Sequence, residues 1–156
     1  MGQNQKKIIA IGGGGFTHKS DEVLDKFVID QCKKKQINFG FLPTASEDNK
    51  DKIKLFYSEL DKYNIQLSHF ELCSSSNGFE EWLMAQDIIY IGGGNTKFMI
   101  KVWEDNNLIK LFKDAYNSGI ILSGISAGAV CWFDWILSDS VAVSYTHLTL
   151  PTRKLV

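Results

Sequence analysis

Short apolar runs rich in β-branched residues alternate along this chain with segments of helical periodicity. The apolar runs predict strands at residues 7–11, 37–42, 66–72, 87–91 and 119–123. The helical segments lie at residues 21–35, 53–60, 79–85, 96–103, 108–116 and 127–135. Strands that alternate with helices are typical of a parallel sheet covered on both faces. The pattern therefore predicts an α/β protein with three layers, α/β/α, and a mostly parallel sheet.

The carboxyl edge of such a sheet is where ligands bind. Three loops predicted at that edge have unusual sequences, and they lie at residues 12–18, 43–49 and 92–96. A fourth turn, at Gly124, is the most informative. The first helix is expected to cover the sheet with one apolar face, formed by Val23, Leu24, Phe27, Val28 and Cys32.

The composition limits the classes of partner. The 156 residues include 17 Lys and Arg against 18 Asp and Glu, so the basic excess of a nucleic-acid-binding surface is missing. The most apolar stretch, residues 120–137, is interrupted by glycine, serine and Asp134, which predicts buried core rather than a membrane span. The N-terminal MGQNQKK leads into a strand without an apolar leader. We therefore expect a cytoplasmic protein without nucleic-acid or membrane partners.

Neither a metal nor a cofactor is predicted. The three cysteines have unrelated spacings, unlike a disulfide framework or a zinc site. Residues 12–15 are all glycine, but Thr17 stands where a dinucleotide-binding motif needs its third glycine, and no Lys-Ser or Lys-Thr pair follows as in a P-loop.

The sequence Gly-Ile-Ser-Ala-Gly at residues 124–128 matches the G-x-S-x-G pattern between a buried strand and a helix. A serine at such a tight turn projects from the sheet edge, and flanking glycines remove side chains that would clash there. The N–H of Ala127, at a helix start, is suited to stabilise an oxyanion. The alternative is that these small residues only allow close packing.

A second glycine-rich loop, Gly-Gly-Gly-Asn-Thr at residues 92–96, ends the preceding strand. A parallel sheet can place that strand beside the one leading to Ser126. Its backbone N–H groups would then approach a substrate carbonyl without side-chain obstruction. Triple glycine alone more often marks a turn, so the two motifs together carry the prediction.

Together with Leu-Pro-Thr-Ala-Ser at residues 42–46, these motifs resemble the peptidase E (dipeptidase E) family of serine peptidases. The resemblance covers residues 7–142. It implies a flavodoxin-like sheet related to class I glutamine amidotransferases, and a cytoplasmic exopeptidase that hydrolyses small peptides.

The resemblance also assigns roles to residues. Ser126 matches the nucleophile, and the backbone N–H groups of Gly94 and Ala127 match the oxyanion-hole donors. The neighbours Gly93 and Asn95 are expected to bind substrate. Asp139 matches, across a gap, an aspartate of the catalytic group.

The sequence departs from the family near its C-terminal end. The family's catalytic histidine follows this aspartate in a Pro-His context, whereas His147 stands in Tyr-Thr-His-Leu. Residues 144–156 do not continue the strand–helix rhythm and are expected to be non-native or disordered, leaving residues 1–143 as the N-terminal part of the domain. Without a positioned histidine, we expect this chain to be nearly inactive as a peptidase.

Several alternatives stay open. His18 lies in a loop at the predicted active edge, where a solvated histidine is the simpler interpretation and a role at the site the other. An esterase on an α/β-hydrolase sheet would need an HGGG-type loop, which is absent. A non-catalytic binding module of the same fold is the third possibility. A homodimer through exposed tryptophans is also compatible with the sequence.

Overall fold

The computed structural model describes residues 6–133, which form one parallel sheet covered by helices on both faces. The strands are β1 (Ile8–Ile11), β2 (Asn38–Leu42), β3 (Gln66–His69), β4 (Ile88–Ile91) and β5 (Ile121–Ile125). The helices are α1 (Glu22–Asp30), α2 (Lys50–Leu60), α3 (Phe79–Met84), α4 (Thr96–Asp105), α5 (Ile109–Asn117) and α6 (Ala127–Val130). The strand order is β1-β5-β4-β2-β3, and every pairing is parallel. The predicted fold class is confirmed.

Alternate side chains of each strand enter two separate cores. In β4, Ile88 and Tyr90 point to the core beneath α1 and α2, whereas Ile89 and Ile91 point to the core beneath α3 to α6. All four are buried, which explains why the strand has an uninterrupted apolar sequence. The sheet is therefore the middle of three layers.

Aromatic rings fill the centre of both cores. On one side, Phe41 stacks on Phe56 of α2 with ring centroids 4.9 Å apart. On the other, Trp103 of α4 lies 4.3 Å from Phe112 of α5, again between centroids. Such contacts combine large buried areas with favourable ring geometry. These contacts fix the helices against the sheet. The loops that follow the strands lie at its carboxyl edge.

Helix α1 differs from the prediction. It ends at Asp30 rather than at residue 35, and Val23 and Phe27 are 71% and 54% exposed. The buried residues of the helix are Asp25, Val28 and Ile29. The predicted face is confirmed at Val28, which is buried, and at Leu24 and Cys32, which pack against the core. It is wrong at Val23 and Phe27, because Asp25 and Ile29 lie on the buried side instead.

The boundaries around the last strand also differ. β5 extends to Ile125, because Gly124 still pairs with both Ala10 of β1 and Ile91 of β4. The serine turn therefore follows Ile125 directly. Helix α6 spans Ala127–Val130, shorter than the predicted 127–135.

None of the helices within residues 6–133 has the length and apolar character needed to cross a membrane. Over the same residues, no three His, Cys, Asp or Glu side chains form a group that could hold a metal ion.

Candidate active site

Ser126 occupies the turn between β5 and α6, at the carboxyl edge of the sheet. Its backbone angles are φ 52° and ψ −113°, a conformation that non-glycine residues rarely adopt. The N–H of Ser126 donates to the carbonyl of Ile11, 3.1 Å away, which ties the turn to the end of β1. Such a strained backbone costs about 1–3 kcal/mol and persists only where surrounding contacts hold it.

The side chain of Ser126 is not used for capping. Serine at a helix start usually accepts a hydrogen bond from the first-turn N–H groups, but here it forms no such bond. The residue is exposed, and its Oγ forms no hydrogen bond with any part of residues 6–133. The turn therefore presents an uncommitted hydroxyl at the sheet edge.

The glycines of the 124–128 motif serve close packing against β4. A Cβ on Gly128 would lie 2.0 Å from the carbonyl oxygen of Ile91, and one on Gly124 would lie 2.8 Å from the same atom. A Cβ on Gly124 would also lie 2.3 Å from the carbonyl oxygen of Gly128. The two interpretations of the motif are thus compatible, because the packing of α6 onto β4 and β5 creates the turn that exposes Ser126.

The loop after β4 lies directly against Ser126. β4 pairs with β5, as predicted, and Ile91 is in register with Gly124. A Cβ on Gly93 would lie 3.1 Å from Cβ and 3.7 Å from Oγ of Ser126. Two glycine-containing turns on neighbouring strands therefore meet at one point of the edge.

The loop after β4 is also packed against the turn after β2. Gly94 has φ 152°, and a Cβ there would lie 2.1 Å from the carbonyl oxygen of Ala45. The N–H of Asn95 donates to that oxygen over 2.7 Å. Because the obstructing atom belongs to the backbone, only glycine fits at position 94 without moving one of the loops.

A cleft of about 270 Å³ opens above Ser126. Its lining comes from the glycine loop, the serine turn, α2 and the turn after β1, and consists of Thr17, His18, Phe41, Lys52, Gly92, Gly93, Gly94, Ile125 and Ser126. The structure thus brings His18 to the same cleft as the serine. Its Nδ1 lies 3.0 Å from Thr17 Oγ1 and 3.3 Å from the N–H of Gly14.

Two polar residues of this cleft, Lys52 and Thr17, are missing from the sequence-based site. Lys52 reaches in from α2, and its Nζ donates to the carbonyl of Gly93 over 3.1 Å. Thr17 comes from the turn after β1 and donates through Oγ1 to the carbonyl of Gly14 over 3.0 Å. Thr17 belongs to the loop 12–18 that was predicted at this edge, although it was given no role there. No motif marks Lys52, and only the packing of α2 against the sheet edge reveals it.

The remaining predicted residues lie in different places. Ala127 is buried at the start of α6, and its N–H, like that of Gly94, has no hydrogen-bond acceptor among residues 6–133. Asn95 is exposed but does not line the cleft, and its Oδ1 accepts from the N–H of Phe98 to cap α4. Asp139, His147 and residues 144–156 are outside the described residues.

Asp25 is buried beneath the turn that carries Thr17 and His18. Burial raises the pKa of its carboxyl from 3.8 to about 6, although a hydrogen bond from the backbone N–H of Phe16 opposes the shift. One carboxyl oxygen, Oδ1, has no partner within residues 6–133. The carboxyl would also lie 2.8 Å from a Cβ on Gly15. A buried acid with a raised pKa therefore lies under this turn and accepts a hydrogen bond from its backbone.

Replacing Asp25 with asparagine is expected to change how stability depends on pH. Between about pH 4 and pH 6 the unfolded chain loses this proton while the folded chain keeps it, so wild-type stability falls as pH rises. The Asp25→Asn variant has no carboxyl to titrate, so this loss does not occur. Its free energy of unfolding relative to that of wild type should therefore rise by up to about 3 kcal/mol between roughly pH 4 and pH 7. Urea unfolding of the variant and of wild type at pH 4 and at pH 7 measures this difference in the free energy of unfolding. The exposed Asp51→Asn is the control, and parallel pH profiles of Asp25→Asn and wild type would contradict the prediction.

The fold is similar to that of two solved structures whose names describe peptidases. It matches a crystal structure of a peptidase from an acI-B1 Actinobacterium with a TM-score of 0.69 and 19% identity, covering 90% of this chain and 64% of that one. It also matches a crystal structure of a protein provisionally named peptidase E, from Listeria monocytogenes EGD-e. That match has a TM-score of 0.63 and 22% identity, and covers 80% of this chain and 64% of that one. The chain is therefore an α/β protein with the peptidase E fold.

Residues 8–149 match the model of peptidase family S51. The chain belongs to this family. Over 137 residues it is 39% identical to an uncharacterized peptidase, YgaJ, of Bacillus subtilis strain 168, a match that covers 86% of this chain and 60% of YgaJ. The chain thus spans somewhat less than two thirds of the length of these relatives.

Proposed function

We propose that the protein is a serine-type exopeptidase of the dipeptidase E kind, with Ser126 as its nucleophile. The observation that carries the proposal is the hydroxyl of Ser126, exposed on a strained strand-to-helix turn and without a hydrogen bond in the described part of the chain. A turn of this kind is the usual support of a nucleophilic serine in α/β enzymes. Membership of a peptidase family makes a peptide bond the expected target.

In the proposed reaction, Ser126 Oγ attacks the substrate carbonyl and forms a tetrahedral oxyanion. The N–H groups of Gly94 and Ala127 donate to that oxyanion, a role for which both are available. The intermediate then collapses to an acyl-enzyme as the C–N bond breaks and the amine leaves with a proton. Water hydrolyses the acyl-enzyme, which releases the second product and restores the hydroxyl.

A base must take the proton of Ser126 and return one to the amine. No described side chain bonds to Ser126 Oγ, and the Nδ1 of His18 already contacts Thr17 and Gly14. The family resemblance assigns the base to a downstream histidine, with Asp139 in the same catalytic group. We therefore propose that this chain by itself hydrolyses peptides slowly or not at all.

The size of the cleft supports a small substrate. Its volume of about 270 Å³ is just below the roughly 300–1,000 Å³ of pockets that bind drug-sized molecules. A volume of this size is in keeping with a small peptide as the substrate. The cleft is consistent with an exopeptidase acting on small peptides.

Acylation by a p-nitrophenyl ester of a small acyl group tests the nucleophile without a downstream base. Nitrophenolate leaves as an anion and needs no proton, while buffer base takes the proton that the Ser126 hydroxyl loses as it attacks. The acylation is therefore slow without the downstream base and is followed over hours at high buffer concentration. We expect one acyl group to be added to the chain, detected by intact mass, and to map to Ser126. Ser126→Ala should remain unlabelled, while the exposed control Ser58→Ala should react like wild type. Equal labelling of wild type and Ser126→Ala would refute the proposal, as would the absence of labelling, which a non-catalytic binding module predicts.

A further inference from the structure

Lys52 connects α2 to the glycine loop beside the serine. Its half-buried side chain crosses to the loop after β4 and donates from Nζ to the carbonyl of Gly93, 3.1 Å away. We propose that Lys52 is a positioning residue, which fixes the Gly93–Gly94 peptide so that the Gly94 N–H faces the oxyanion site. This inference rests on the proposed function, because it assigns a role to a residue that supports one of the proposed donors.

The geometry of the peptide unit links the two groups. No peptide bond in the described chain is cis, so the carbonyl of Gly93 and the N–H of Gly94 point in opposite directions. The ammonium of Lys52 holds the carbonyl on the side of α2. The N–H of Gly94 is thereby directed away from α2, and it has no acceptor among residues 6–133.

This peptide needs an external anchor because glycine stands on both sides of it. A peptide between two glycines can rotate with little steric penalty, since neither neighbour has a Cβ that restricts its backbone angles. The loop is anchored at its two ends, where Gly92 N–H donates to Leu42 over 2.9 Å and Asn95 N–H donates to Ala45 over 2.7 Å. Between these anchors, Lys52 is the one side chain of the described chain that bonds to the Gly93 carbonyl.

The peptide is also close enough to the nucleophile to act on the reaction. A Cβ on Gly93 would lie 3.7 Å from Ser126 Oγ, so this peptide is next to the nucleophile. A rotation of the peptide would replace a donor by a carbonyl oxygen beside the developing negative charge. Oxyanion-hole donors each contribute about 10²–10³ in rate, so partial loss of the correct orientation should reduce acylation strongly while leaving substrate binding nearly unchanged.

The test compares acylation kinetics of wild type, Lys52→Met and Lys52→Arg with the same p-nitrophenyl ester. Methionine keeps the length of the side chain and removes the donor, whereas arginine keeps a charged donor. We expect Lys52→Met to lower the maximal acylation rate by at least tenfold, with the half-saturating ester concentration unchanged within about twofold. Lys52→Arg should restore most of the rate.

The control is Lys54→Met, on the same helix, whose side chain is 80% exposed and which should acylate like wild type. Thermal unfolding followed by circular dichroism verifies that each variant is folded, and Lys52→Leu, which also lacks a donor, provides the same comparison if Lys52→Met does not fold. If the folded variant without a donor at position 52 acylated at the maximal rate of wild type, the inference would be overturned. A change confined to the half-saturating concentration would also overturn it, because that would make Lys52 a substrate ligand. Either result, with Ser126-dependent acylation intact, leaves the proposed function standing, whereas absence of acylation in wild type removes both.

Discussion

Replacing Gly128 with alanine is expected to prevent the chain from reaching its native fold. The added Cβ would lie 2.0 Å from the carbonyl oxygen of Ile91 and 2.6 Å from its carbonyl carbon. Both atoms belong to the backbone of a central strand, so they cannot move aside without disturbing the pairing of β4 with β5. We expect a loss of more than about 4 kcal/mol in the free energy of unfolding.

Chemical unfolding followed by circular dichroism measures this loss. The matched control is Gly13→Ala, because a Cβ on Gly13 has no atom within 4 Å, and its stability should stay within about 0.5 kcal/mol of wild type. If Gly128→Ala unfolded at the same urea concentration as wild type, the close approach of α6 to β4 would be wrong. The packing that creates the Ser126 turn would then be wrong as well.

Replacing Ser126 with alanine is expected to lower kcat for peptide hydrolysis by about 10⁶-fold in a protein extended by its own downstream coding sequence to the length of its relatives. The loss is large because nucleophile and base act together, and a residual rate of roughly 10³–10⁴ over water would survive from the oxyanion donors and binding. Hydrolysis of small peptides, measured by release of the free amine, provides the comparison.

Two further measurements make this comparison specific. Ser58→Ala, an exposed substitution on α2, should hydrolyse peptides like the unchanged protein. Unaltered hydrolysis in Ser126→Ala would show that another group is the nucleophile. Faster turnover of lipid or aryl esters than of peptides would favour the esterase alternative over the peptidase.

Much of the fold was predictable because each strand carries its own signal. β4 is an apolar run with both faces buried, and the glycine loop that ends it marks the sheet edge. The pairing of β4 with β5 was also predictable, because the glycine loop and the serine turn can form one site only if their strands are neighbours. These features depend on residues close together in the sequence, where periodicity and turn chemistry are informative.

The contacts that complete the cleft were not predictable in this way. Lys52 and Gly93 are 41 positions apart, and nothing in an ordinary helical lysine indicates which carbonyl it will reach. His18 was expected in a loop at the active edge, but its place in the same cleft as Ser126 depends on how the turn after β1 packs on the sheet, where Phe16 contacts Phe41 with ring centroids 5.6 Å apart. The predicted face of α1 was right at Val28 but wrong at Val23 and Phe27, since the burial of the polar residue Asp25 is not visible in the apolar pattern.

The position of β5 between β1 and β4 has a consequence for folding order. β2, β3 and β4 pair among themselves, whereas β1 pairs only with β5 in the described sheet, with Ile8 opposite Leu122. As the chain is synthesised, β1 must therefore wait unpaired until β5 emerges, and closing so long a loop is a slow, non-local step. The hydrogen bond from Ser126 N–H to Ile11 forms in that same step. The hydrogen bond that ties the Ser126 turn to β1 is therefore absent from partly folded chains in which β1 and β5 have not yet paired.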